Sequence, residues 1–143
     1  MLIRLLPEQA ANCWDDLKGA IKEALPPVVG MQSDRMQNIL TALLLEELIA
    51  WISVDKEKVV DGIVVTSFVV DKCSGTKSLL LYCLYGYGEV ARSSWEEGVE
   101  TLRRFAKHSG CQRVIGYTDV PSLIKWVEKV GGETRYRFLS VEV

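Results

Sequence analysis

The chain has 143 residues, 48% of them hydrophobic and 25% charged, with a formal net charge of −2. That is the balance of one globular domain, and it excludes disordered, collagenous and disulfide-stapled classes. About 68–70% of the unfolded surface can be buried at this length, so no metal or disulfide staple is required, and a near-neutral chain offers no basic field for nucleic acid.

The four cysteines, Cys13, Cys73, Cys83 and Cys111, include no CxxC pair, and there is one histidine. This argues against a metal site and suits reduced thiols in a cytoplasmic protein. Cys83, among apolar residues, reads as core. No basic region followed by a long apolar run marks a leader. The apolar stretch Leu40 to Val54 is interrupted by Glu46 and Glu47 and is too short to span a bilayer.

In chain order, Met1 to Leu6 reads as a short first strand ended by Pro7. From Glu8, Ala11, Trp14, Leu17, Ile21 and Leu25 recur at helical spacing, and Pro26-Pro27 stops that helix. Ser33 or Asp34 caps a second helix with Met36, Ile39, Leu40, Leu43 and Leu44 on one face, ending near Glu46-Glu47. Leu48 to Val54 is a strand. Val59 to Val70, rich in β-branched residues on both faces, reads as a central strand in which Gly62 marks a bulge. Asp71 to Lys77 is a turn without the spacing of a phosphate loop, and Ser78 to Tyr85 is a third apolar strand. Short polar turns between these strands predict an antiparallel meander.

A strand–helix–strand unit follows over residues 78–119. Ser93 with Glu96 and Ser94 with Glu97 form two overlapping S-x-x-E capping boxes. Trp95, Val99, Leu102, Phe105 and Ala106 make the helix's apolar face, Gly110 its stop, and Lys107 and His108 suit its negative end. Arg113 to Asp119 is a strand parallel to the one before the helix. Pro121 opens a last helix with Leu123, Ile124, Val127 and Val130, Gly131-Gly132 ends it, and Thr134 to Val141 reads as a final strand.

The order β-α-α-β-β-β-α-β-α-β describes one α/β domain over residues 1–143, with a mixed sheet. It resembles the GCN5-related N-acetyltransferase (GNAT) superfamily over nearly the whole chain, most clearly from Ser78 to Gly132. RRFAKHSGCQRVIGYTD looks like the family's third helix and fifth strand, and LIKWVEKVGG like its fourth helix, whose common form ends in Y-E-K-x-G-F. Only about a dozen residues follow Gly132, so the family's closing hairpin is short. The open sheet edge this leaves implies pairing with a second copy. A compact, altered member of this kind has the flavour of a phage or prophage protein.

The resemblance implies acetyl-CoA in a gap between the two parallel strands, with its pyrophosphate at the helix N-terminus, and an amine acceptor, small molecule or protein. Implied contacts are Tyr82, Leu84, Tyr85, Gly86, Arg92, Ser93 and Ser94, with Tyr85 and Tyr87 as candidate acids. The loop motif [QR]-x-x-G-x-[GA], counted back from Gly110, falls on Val90 to Trp95, with Ser93 and Trp95 at the small positions. Val127 stands where the family carries its tyrosine acid. Two readings follow: an acetyl-CoA-dependent transferase acting on an amine, or a GNAT-fold binding or assembly protein without that activity. Glu89 and Asp119 are the nearby carboxylates.

Overall fold

The computed structural model describes all 143 residues. Strand β1 is Leu2–Arg4, followed by helices α1 (Pro7–Asn12), α2 (Trp14–Glu23) and α3 (Arg35–Leu44). Strands β2 (Ile49–Val54), β3 (Val60–Val70) and β4 (Lys77–Gly86) come next, then helix α4 (Arg92–His108), strand β5 (Arg113–Gly116) and helix α5 (Pro121–Lys129). The five strands form one sheet in sequence order, antiparallel except for the parallel pair β4/β5. The meander and the strand–helix–strand unit are therefore as the sequence implies.

Each face of the sheet has its own apolar layer. Ala50, Ile63, Val65 and Cys83 pack with Leu17, Ile21, Met36, Ile39 and Leu43 of α2 and α3. Ile49, Trp51, Val64 and Leu79 pack with Leu102 and Ala106 of α4. Phe105 anchors α4 further. Its ring meets Trp51 edge-on at 5.0 Å and stacks on Phe68 at 5.8 Å. Trp51 Nε1 donates to the buried Thr66 Oγ1 at 3.0 Å, so neither polar atom is left unsatisfied. At the far end of α4, Gly110 takes φ +77°, a conformation that favours glycine. The Cys111 amide then reaches back to the Ala106 carbonyl at 2.8 Å, the Schellman closure of a helix.

Three local readings change. The first predicted helix is two. The Cys13 thiol donates to the Gln9 carbonyl at 3.0 Å and the backbone turns at that residue. Ala10, four residues before Trp14 and seven before Leu17, continues the buried face, and the predicted face residue Ala11 is exposed. Asp34 does precede α3, but its side chain caps nothing. The predicted last strand, Thr134 to Val141, does not form. Leu139 and Val141 are 87% and 89% exposed, and no strand lies on the outer edge of β5. A strand needs a partner ladder, and β5 is only four residues long.

Leu102 is 3% exposed on the layer that holds α4 to the sheet. Leu102→Ala is expected to cost about 2–5 kcal/mol. Urea unfolding should show this as a lower midpoint with an unchanged slope.

Candidate active site

β5 pairs with β4 only from Ser78↔Arg113 to Leu81↔Gly116. β4 continues to Gly86, still paired on its other side with β3 through Gly62↔Gly86. From Tyr82 onward, then, one edge of β4 has no ladder partner. A register shift falls at the same point: Leu81 pairs Thr66 and Cys83 pairs Val65, which leaves Tyr82 as an extra residue. This is a β-bulge, and it re-aims the side chains that follow. Leu79 and Leu81, before it, pack on the α4 side. Tyr82, Cys83 and Tyr85 lie on the α1–α3 side.

The loop after β4 is built to expose backbone amides. The Tyr87 amide closes the strand end on the Asp61 carbonyl at 3.0 Å. Gly88 takes φ +70°, and the chain folds back so closely that a Cβ on Gly86 would lie 2.8 Å from Val90 Cγ2. No amide from Gly88 to Ser94 has an acceptor, and the first helical bond is Trp95 N–H to the Ala91 carbonyl at 3.2 Å.

The predicted capping boxes are absent. Helix α4 starts at Arg92 behind Ala91, which has no side-chain cap, so Ser93 and Ser94 sit inside the first turn. Their intended partners are engaged elsewhere. Glu96 pairs with Arg92 at 2.8 Å, and Glu97 lies 3.4 Å from the N-terminal amino group. Orphan amides and a helix dipole are features that favour a nearby anion. Arg92, 71% exposed with only Glu96 beside it, adds a cation. Of the two small-residue positions of the counted motif, Ser93 keeps a free amide and Trp95 lies one residue past the free amides.

Tyr82, Tyr85 and Tyr87 lie on the stretch of β4 and its loop beyond the end of β5. The Tyr85 and Tyr87 rings meet edge-on at 5.0 Å. Burial pushes the Tyr87 phenol up, with the neighbouring Tyr85 and the Asp16 carboxylate of α2 adding to the effect. Burial and then Cys83 raise Tyr82. Both phenols therefore stay protonated through neutral pH. Leu84 faces the other way, into the α4-side layer, apart from these tyrosines. Glu89 and Asp119 are exposed. Val127 is half-buried on α5, and Tyr117 stacks edge-on against Phe138 at 5.9 Å.

One residue at this place has no signal in the sequence. Asp61 is the extra residue between Val60↔Val54 and Gly62↔Ser53, and its Oδ1 is buried without a hydrogen-bond partner. The predicted bulge at Gly62 points to the neighbouring position only.

A five-stranded mixed sheet whose parallel pair ends beside a bulge, followed by an uncapped helix N-terminus, matches the fold of the GCN5-related N-acetyltransferases. Neither a known family pattern nor a curated protein matches the chain in sequence. Solved structures do match in fold. AAC(6')-Iy in complex with the bisubstrate analog CoA-S-monomethyl-acetylneamine superposes with a TM-score of 0.69 at 16% identity, covering 100% of this chain and 97% of that one. The ribosomal-protein-alanine N-acetyltransferase from Brucella melitensis biovar Abortus 2308 gives 0.68 at 11% identity, covering 100% and 99%. The aminoglycoside 6'-N-acetyltransferase AAC(6')-Ih from Acinetobacter baumannii gives 0.68 at 12%, covering 100% and 97%. No helix is long and apolar enough to cross a membrane.

A surface cleft of about 650 Å³ lies at the other end of β4, lined by Asp71, Lys72, Ser78 and Arg113 among others. There β4 and β5 are still paired, and Asp71 is committed to its own turn, accepting from the Ser74 amide and hydroxyl at 2.8 and 2.7 Å.

Cys83 is 2% exposed, and burial pushes its thiol up to about 12, whereas Cys73 is exposed. Only the thiolate reacts. Iodoacetamide at pH 8 is expected to label Cys73 in the folded protein and Cys83 only after unfolding, as read by peptide mass spectrometry.

Proposed function

We propose that the protein transfers an acetyl group from acetyl-CoA to an amine. The observation that carries this reading is the coincidence at Tyr82: the bulge in β4 and the loss of β5 pairing begin at one residue, directly before a loop and helix start whose amides are free. Several solved structures of this fold are complexes with CoA or a CoA conjugate, which supports the same reading. Acetyl-CoA would supply an activated thioester, and the acceptor nitrogen forms the N–C bond as the C–S bond breaks.

The chain's own groups fit that chemistry. Amides from Gly88 to Ser94, with Arg92, suit a pyrophosphate. Unpaired N–H groups on the β4 edge beyond Leu81 suit a thioester carbonyl that gains negative charge in the transition state. A protonated phenol at the gap suits the leaving thiolate, and of the tyrosines there Tyr87 is 43% exposed at the mouth. Holding donor and acceptor in register supplies most of the remaining acceleration.

Calorimetric titration with acetyl-CoA tests the reading, with micromolar binding expected. Arg92→Glu should weaken it about tenfold or more, since a charge-assisted hydrogen bond is worth about 1.5–3 kcal/mol. The fold should survive, because the Arg92–Glu96 pair is exposed and such pairs contribute little. No binding at millimolar ligand by a folded protein would sink the proposal.

Tyr87→Phe is expected to lower kcat about 10²-fold or more while acetyl-CoA affinity holds. A raised phenol pKa keeps the acid form to higher pH. The wild-type kcat should therefore not decline through loss of this proton until pH exceeds about 10, and the variant should lack that alkaline limb.

A further inference from the structure

We propose that the cleft at the turn end of β3, β4 and β5 is a second binding site, for a small aliphatic carboxylate, with Arg113, Lys72 and the Ser78 hydroxyl on the carboxylate and Val69 and Ile115 against its chain. The site is independent of acetyl transfer and lies at the opposite end of β4 from the residues proposed for it.

The sheet register builds the floor. Val69 pairs with Ser78 and Ser78 with Arg113, so the three stand in one row across the sheet, about 4.8 Å apart. Ile115, two residues past Arg113, shares that face. It is the face that α2 and α3 cover further along, over Ile63, Val65 and Cys83, whereas Leu79 and Val114 point to the α4 side. Over this row no helix residue lines the opening, and the β3–β4 turn stands beside it as a wall. The resulting cleft of about 650 Å³ falls within the range of small-ligand sites, about 300–1,000 Å³.

Its polar groups are free. Ser78 is only 6% exposed, yet it lines the cleft. The side-chain hydrogen bonds of this region run within the turn, among Asp71, Ser74 and Thr76, or from Lys77 to Ser109 on the α4 side, and none engages Ser78 Oγ. Nor is that oxygen sealed from outside: the sealed side-chain atoms without a partner are Arg35 Nε and Asp61 Oδ1. Ser78 thus offers the cleft a hydroxyl free to donate. Arg113 and Lys72 belong to no ion pair. Asp71 leaves them uncompensated, because its carboxylate takes the Ser74 amide and hydroxyl.

The same groups select the ligand. A guanidinium fork beside a hydroxyl matches a carboxylate. Hydrogen bonds from the Ser74 hydroxyl and amide hold the Asp71 carboxyl below its ordinary range, so it is ionised at neutral pH and repels a phosphate dianion more strongly than a carboxylate. Val69 and Ile115, both exposed apolar side chains on this face, favour an aliphatic chain over a bare anion.

NMR titration of the isotope-labelled protein with hexanoate tests the site, with acetate, hexanol and inorganic phosphate as comparisons. Hexanoate is expected to bind at about 1 mM or tighter and to shift the amides of Lys72, Ser78, Arg113 and Ile115. The comparisons should each bind about fivefold more weakly or worse, lacking respectively the apolar body, the charge and the charge match. Arg113→Gln and Lys72→Gln, both at exposed positions, should weaken hexanoate, the first about tenfold and Ser78→Ala about threefold. Arg92→Glu, at the other end of β4, should leave it unchanged. Ser78→Ala removes a hydroxyl that bonds to nothing, so its Tm should not fall, and a lowered Tm would give Ser78 a structural role and overturn its place in the site. No shift at tens of millimolar hexanoate, shifts centred on Tyr82 to Ser94 instead, phosphate binding as tightly as hexanoate, or equal affinity in Arg113→Gln would each overturn the inference.

Discussion

The site depends on one extra residue in β4. Tyr82 interrupts the ladder with β3 where the ladder with β5 stops. Without the bulge, alternation would carry the odd-numbered residues of β4 on toward α4, with Leu79 and Leu81. With it, Cys83 and Tyr85 turn to the α1–α3 side. A strand edge freed of its partner is normally a hazard. Here it lies beside three tyrosines, the setting that the proposed acetyl transfer draws on.

The second constraint is the fixed position of α4. A helix N-terminus binds an anion usefully only if it is held against the place where the rest of the ligand lies. Leu102, Ala106 and the Phe105 ring against Trp51 and Phe68 tie the helix to the sheet. Lys77 Nζ donates to the Ser109 carbonyl at 2.8 Å and secures the far end. The near end is left without a side-chain cap. The helix is thus secured at one end and leaves its amides unsatisfied at the other, the kind of local rule-breaking expected at functional sites.

The elements were legible because hydrophobic period and breakers are local. The triplet of strands, the Pro121 helix start and the Gly110 stop all follow from short-range patterns. The capping boxes were misleading for a related reason: Ser93 and Ser94 have the right spacing to Glu96 and Glu97, but those glutamates are drawn off by Arg92 and by the chain's own N-terminus. The split at Cys13 escaped because a thiol bonding back to a carbonyl has no sequence period. Among the candidate contacts, Tyr82, Tyr85, Gly86, Arg92, Ser93 and Ser94 lie along the unpaired end of β4 and the start of α4, while Leu84 faces the α4 layer.

By itself the sequence determined the class of fold and the strand–helix–strand frame, since each segment's burial period is written in its own residues. The tertiary structure decided what that frame offers. Where the parallel ladder stops, which face a tyrosine takes after a bulge, which amides stay free and which carboxylate oxygen is buried without a donor all depend on residues distant in the chain. Asp61 meets Tyr87, and Glu97 meets Met1, only once the sheet has formed.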